Sequence, residues 1–376
     1  MKNLLTKTQL NTIKNVFVIN LKIKKDEKVL IFTDNINQDI QKITQIFAKE
    51  GKKHTKNITY IKFTATKSHG SEPPENLWLN AFGANAIKNL KTQKLLIPLL
   101  NKKTDKQQIK KIEDIITKFR KEAVNVVIAL SYYSTSHTRF RHLLTNICGT
   151  RYASLPLFDK TMLNSSMTVN WKKMAKKTAK IMQRVNKSEK IYIETPNGTH
   201  ITLSKKGRTA MADTGIITKP GAFSNLPAGE VFFAPLENTA EGKLILEWAP
   251  THKLNKPITL YVKKGKVVKI EGNNKYADYL KTKLSERNKN TNIAELGIGT
   301  NDKASRPDNI LESEKILGTI HIALGDNSTF GGKVSTPFHQ DFVFFKPTVT
   351  LIDKKGRRET LLENGRLISR KNTCKE

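Results

Sequence analysis

The run Lys28-Val29-Leu30-Ile31-Phe32, followed after a short polar break by the segment Gln38 to Lys49, decides how the first half of the chain is read. The first run has the length and β-branched character of a buried strand, and the second reads as a helix. Strand followed by helix, repeated, builds a parallel sheet. The alternation recurs through about residue 185, with strands expected at Ile58 to Phe63, Lys94 to Leu99, Val124 to Leu130 and Arg151 to Leu155. Helices are expected between them at about 75–90, 104–121 and 137–147. Five such strands predict an α/β N-terminal domain with an open, mostly parallel, doubly wound sheet. No Gly-x-Gly-x-x-Gly turn follows the first strand, so the topology brings no dinucleotide with it. The polar segment Ser131 to Thr138 follows a strand at the end where open sheets bind ligands, and within it Ser136 reads as a helix N-cap.

A long helix rich in Lys and Met, about 159–187, bridges the halves, and after it the pattern changes. Lys190 to Glu194, His200 to Ser204, Val231 to Ala234, Leu244 to Trp248, Thr259 to Val262 and Val267 to Ile270 are short strands punctuated by Gly, Pro and Asn. Lys263-Lys264-Gly265-Lys266 is a hairpin turn, and one helix is expected at about 274–287. The second half is therefore an α+β domain, largely antiparallel. The expected boundaries are 1–187 and 188–376, two cores being the natural outcome for 376 residues.

The chain carries 66 Lys and Arg against 33 Asp and Glu, a net charge of +33. Residues 1–200 account for +23 of it and the remainder for +10. Lys, Ile and Asn are used heavily in helices and loops alike, which indicates a general compositional bias more than a nucleic-acid stripe. No zinc-finger spacing, Arg cluster or RNA-binding aromatic signature is present, so a nucleic-acid partner is not expected. Two cysteines, Cys148 and Cys374, cannot build a disulfide framework, which points to a reducing cytoplasm. The longest apolar run, Ala123 to Leu130, is far short of the roughly 18 residues that cross a bilayer. The segment Met1 to Lys14 lacks the apolar core of a signal peptide. A cytoplasmic protein without a membrane partner is expected.

The chemistry concentrates near the C-terminus. His321 lies between Ile320 and Ile322, so in a strand its imidazole faces away from the apolar pair. His339 and Asp341 are two apart and would project together from one face. Glu230 and Glu295 each interrupt an apolar, Gly-rich segment, and a carboxylate in such surroundings needs a cation or a donor to compensate it. Two imidazoles and three carboxylates match the inventory for a pair of divalent ions that activate a shared water, and hydrolysis is the chemistry such a site favours.

These residues resemble the thermophilic metallo-aminopeptidase family of leucyl aminopeptidases related to aminopeptidase T. The likeness runs through Ser134 to Thr138, Gly149 to Pro156, Leu226 to Pro235 with Glu241-Gly242, Glu295 to Gly299, His321 to Gly325 and His339 to Asp341. The resemblance implies that Glu230, Glu295, His321, His339 and Asp341 bind two divalent ions, of Zn, Co, Mn or Mg, in a dinuclear site. Asp341 would be shared between them. It implies that Glu314, seven residues before His321, is the catalytic general base or a further ligand, that the substrate is a peptide, and that the chain forms a homodimer. The expected activity is then that of a metalloprotease, a hydrolase removing N-terminal residues.

One departure stands out. The family has a Tyr shortly after the His of His321-Ile322-Ala323-Leu324-Gly325, and here Ser328 and Phe330 occupy that neighbourhood. Phe cannot donate to an oxyanion, and losing one such donor costs on the order of a hundredfold in rate. Two alternatives remain open. The sequence is also similar to ring-opening dioxygenases of hydroxylated pyridines, in which two His and the Asp hold one ferrous iron. The other is a basic nucleic-acid-binding protein with a vestigial site.

Overall fold

The apolar run at 29–34 does form a buried strand, and every residue in it lies inside. The structure is a computed structural model that describes residues 5–369. In chain order the strands are β1 Val29–Asp34, β2 Ile58–Phe63, β3 Val126–Leu130, β4 Arg151–Ser154, β5 Ser188–Glu194 and β6 His200–Ser204. They continue as β7 Met211–Asp213, β8 Phe223–Asn225, β9 Glu230–Phe233, β10 Glu241–Ala249, β11 His252–Lys263 and β12 Lys266–Glu271. The last six are β13 Ile293–Gly299, β14 Ile320–Gly325, β15 His339–Phe344, β16 Thr348–Asp353, β17 Arg358–Glu363 and β18 Arg366–Leu367. The α-helices are α1 Lys7–Asn15, α2 Gln38–Gly51, α3 Glu75–Phe82, α4 Ala84–Thr92, α5 Leu96–Leu100, α6 Lys106–Phe119, α7 Arg139–Asn146, α8 Trp171–Asn186, α9 Lys275–Glu286 and α10 Ile310–Ser313.

Two compact units result. One comprises the chain up to Trp171 together with Gly215–Pro227; the other comprises Lys172–Thr214 and the chain from Ala228 onward. In the first, a five-stranded sheet has the order β2-β1-β3-β4-β8, every neighbouring pair parallel. Leu30, Phe32, Trp78, Phe82, Phe140 and Tyr152 are among its core residues. The expected α/β architecture is present, with one strand exchanged. Lys94 to Leu99 is not a strand: Leu95, Leu96 and Leu99 are buried at helical spacing while Ile97 is exposed, and Pro98 cannot donate to a ladder. The fifth strand is instead β8, which pairs beside β4.

Three more expectations change in detail. The helix read at 75–90 is two helices, parted at Gly83, whose φ of 91° ends α3. The helix read at 159–187 begins only at Trp171; Lys160–Leu163 and Ser166–Thr168 form two 3₁₀ turns separated by Asn164 and Ser165, and the Ser165 ψ of −109° is incompatible with a helix. The N-cap of α7 is Thr138, which accepts from the backbone N–H of Arg141 at 3.1 Å. Ser136 is instead hydrogen-bonded to Ser154.

The second unit contains an eight-stranded sheet, β12-β11-β10-β6-β5-β16-β17-β18, and a five-stranded one, β15-β14-β13-β9-β7. All their pairings are antiparallel, as expected for this half. Both sheets contribute to one core, with Ile191, Ile193 and Leu203 from the larger and Val231, Phe233, Leu296, Ile298, Ile320, Ile322 and Phe342 from the smaller. Period-two alternation then forces the intervening residues of the smaller sheet onto its opposite face. No helix among the described residues is long and apolar enough to cross a membrane.

Candidate metal centre

That opposite face is where the chemistry gathers. On β9 it carries Glu230 and Phe232, on β13 Glu295, Gly297 and Gly299, on β14 His321 and Ala323, and on β15 His339 and Asp341. Cross-strand register brings them together: Glu230 pairs with Gly299, Gly297 with both Phe232 and His321, Ala323 with both Glu295 and Asp341, and Gly325 with His339. Small residues leave the space that the functional side chains fill. A Cβ on Gly297 would lie 2.0 Å from Cε1 of His321, and one on Gly299 would lie 2.0 Å from the carbonyl of Ile316.

The side chains form a continuous chain of contacts. Lys315 Nζ lies 3.0 Å from Glu314 Oε2 and 2.7 Å from Glu230 Oε1. His321 Nε2 lies 3.5 Å from Glu230 Oε2 and 3.5 Å from Glu295 Oε1. His339 Nε2 lies 3.5 Å from Glu295 Oε2 and 3.4 Å from Asp341 Oδ2. All six residues expected from sequence therefore converge on one neighbourhood. Among them, Glu295, His339 and Asp341 present donor atoms that all lie within 4.8 Å of one another, a group able to hold a metal ion.

Burial and charge set the protonation of this cluster. Burial opposes charge on the imidazoles, but Glu295, Glu230 and Glu314 around His321 outweigh it and raise that ring to about 9. Asp341 and Glu295 raise His339 to about 10 against the same opposition. Asp341 is driven well below the usual carboxylate range despite burial, chiefly by His339. Burial raises Glu295, with Asp341 adding to it. Burial also raises Glu314, to about 8, against the opposing charge of Lys315. Without an ion, the surrounding carboxylates favour the protonated form of both rings; an ion among the same carboxylates would supply that positive charge in its place.

The residues fit such an ion on two further observations. The Nδ1 of His339 lies 2.8 Å from the backbone carbonyl of Asp326, to which Nδ1–H donates, so Nε2 is the lone-pair nitrogen of the neutral ring and points at the carboxylates. His321 Nδ1 is buried without a hydrogen-bond partner, an orphaned ring nitrogen in a pocket lined by carboxylates.

Two residues were not legible in the sequence. Lys315, wholly buried, was one lysine among many and carried no motif. Phe232 has its ring 5.9 Å from that of Phe330, and Phe330 lies edge-on to His339 at 6.0 Å. The position expected to hold a Tyr is thus lined by aromatic carbon. Phe330 belongs to the segment between β14 and β15, which Glu237 anchors by accepting from the backbone N–H of Lys333 at 2.7 Å and from Asn327 Nδ2 at 3.2 Å. Arg208 in turn is ion-paired with Glu237.

A sheet face that gathers two imidazoles and three carboxylates offers the donor types of a metal centre. The family model of 2,5-dihydroxypyridine 5,6-dioxygenase (NicX) matches residues 79–368, and the chain belongs to that family. The 2,5-dihydroxypyridine 5,6-dioxygenase of Pseudomonas putida is 27% identical over 161 residues, 39% of this chain and 46% of that protein. The chain thus spans less than half the length of this curated relative. The solved structure of the P. putida dioxygenase superposes with a TM-score of 0.69 at 16% identity, covering 97% of this chain and 99% of that one. AmpT from Thermus thermophilus superposes with a TM-score of 0.55 at 15% identity, over 96% and 99%.

These findings correct the first reading. The relation to aminopeptidase T holds as a relation of fold, but the metallo-aminopeptidase activity, with its hydrolase and protease character, is overturned by the family match to a dioxygenase. Two ions of the Zn, Co, Mn or Mg kind are likewise unsupported. One three-residue donor group is found among the described residues, and Glu230 and Glu314 each commit an oxygen to Lys315. The resemblance to the aminopeptidases implied the five ligands, and it does not reveal that Lys315 lies between Glu230 and Glu314.

Proposed function

We propose that the chain is a mononuclear, non-haem iron dioxygenase that opens the ring of a hydroxylated pyridine. The observation that carries the reading is the one donor group found among the described residues, Glu295, His339 and Asp341, with His321 against Glu295 and with Phe330 against His339. Ferrous iron would suit these imidazole and carboxylate donors gathered on one sheet face. Bound there, ferrous iron supplies the redox chemistry and the affinity for dioxygen that side chains lack.

The chain's own groups do the rest. The Asp326 carbonyl orients His339. Phe330 and Phe232 present ring carbon to a flat aromatic substrate, a contact that a peptide backbone would not reward. Glu314 serves as the proton acceptor for a ring hydroxyl, held in place by Lys315. The reading is supported by the family match and by an aromatic side chain where a hydrolase of this fold would need a hydrogen-bond donor.

The test is to load the protein anaerobically with ferrous iron and follow both oxygen uptake with 2,5-dihydroxypyridine and hydrolysis of an aminoacyl-anilide. Oxygen consumption without anilide hydrolysis, reduced at least about a hundredfold in Asp341→Asn, is expected. Hydrolysis without oxygen uptake would refute the proposal.

A further inference from the structure

We infer that Lys315 is a built-in second cation: its buried ammonium stands between Glu230 and Glu314 where a second divalent ion would bind, and so restricts the pocket to one ion. This rests on the single-ion reading above and goes beyond it by assigning the cause to one residue. Lys315 follows α10 and is wholly buried. A lysine in such a place is tolerated only when carboxylates surround it. Its Nζ meets two, at 2.7 Å and 3.0 Å. A divalent transition-metal ion takes carboxylate oxygens at roughly 2.0–2.2 Å, so it cannot share those oxygens' approach with an ammonium already seated among them.

The geometry next to the ammonium already has the makings of a metal site. Glu230 Oε2 is buried without a hydrogen bond and lies 3.5 Å from His321 Nε2. Glu230 and His321 therefore stand together beside the ammonium, with Glu314 on its other contact, and they adjoin the group of Glu295, His339 and Asp341 through the 3.5 Å contact of His321 with Glu295. Replacing the lysine by a small neutral residue removes one positive charge and opens space beside two carboxylates. The ion that fills it restores the charge.

The experiment is metal stoichiometry, read by elemental analysis after equilibration with excess Mn²⁺ and desalting, with thermal melting alongside. Wild type is expected to hold one ion per chain. Lys315→Ala is expected to hold two, and its melting temperature should rise more with Mn²⁺ than that of wild type. Lys315→Arg, which keeps the charge, should hold one, and Lys315→Ala combined with Glu230→Gln should return to one. One ion in Lys315→Ala overturns the role of the lysine while the single-ion reading stands. No ion in wild type removes the metal reading itself, and two ions in wild type overturn both. A Lys315→Ala chain that is soluble only with Mn²⁺, and then holds two ions, supports the inference; one that is insoluble with and without the ion overturns it.

Discussion

At the scale of single residues, the centre is organised by what each side chain is denied. His339 cannot rotate freely because Nδ1 is tied to the Asp326 carbonyl, and Glu230 leaves one oxygen without a hydrogen bond. Phe330 is denied a polar role by its chemistry, so its contribution is surface. Phe330→Ala is expected to raise KM for a dihydroxypyridine roughly 2- to 12-fold, the equivalent of one aromatic contact of about 0.5–1.5 kcal/mol. Metal content, measured in parallel, should stay at the wild-type level. A KM unchanged within error would show that the ring does not meet the substrate.

At the scale of elements, β13 and the segment between β14 and β15 do the positioning. Gly297 lies directly opposite His321, and its missing Cβ is where that imidazole rests. Gly297→Ala should therefore push the ring out of place and weaken metal binding at least about tenfold, the magnitude seen when ligand orientation is lost. Far-ultraviolet circular dichroism should remain that of the wild type, because strands tolerate Ala; unchanged metal affinity would refute the account.

Glu237 tests the segment that carries Phe330. Burial works against its charge, yet the donors from Lys333 and Asn327 and the charge of Arg208 hold its carboxyl below the usual range. A depressed folded pKa means that the stabilisation is fully present above the unfolded value, roughly pH 4.3, and is lost as the pH falls through the folded one. Glu237→Gln should accordingly melt below the wild type at pH 7, by about 1–3 kcal/mol for a charged hydrogen-bonding group. The gap should close as the pH falls below roughly 4. A gap that widens on acidification would contradict the sign.

At the scale of the whole molecule, two units have separate cores, and every residue of the candidate centre belongs to the second. Hydrogen exchange should therefore show added protection on metal binding in β9, β13, β14 and β15, with β1 and β3 unchanged; equal protection of β1 and β3 would show that the ion's effect is not confined to the second unit. Much of this was legible in sequence for a physical reason. Strand and helix periods are local, so the runs at 29–34, 58–63 and 126–130 and the short strands after residue 188 declare themselves, and alternation in Ile320-His321-Ile322 already set His321 against the apolar face. Local pattern failed at Lys94 to Leu99, where an apolar run fits either period and only packing chose the helix. By itself the chain determined two halves of different strand class and pointed to six of the ionisable groups that meet, Lys315 not among them. What only tertiary structure decided is how they pair. The contact of Lys315 with Glu230 joins residues far apart in sequence, and in the low-dielectric interior that one ammonium decides which carboxylates remain for a metal.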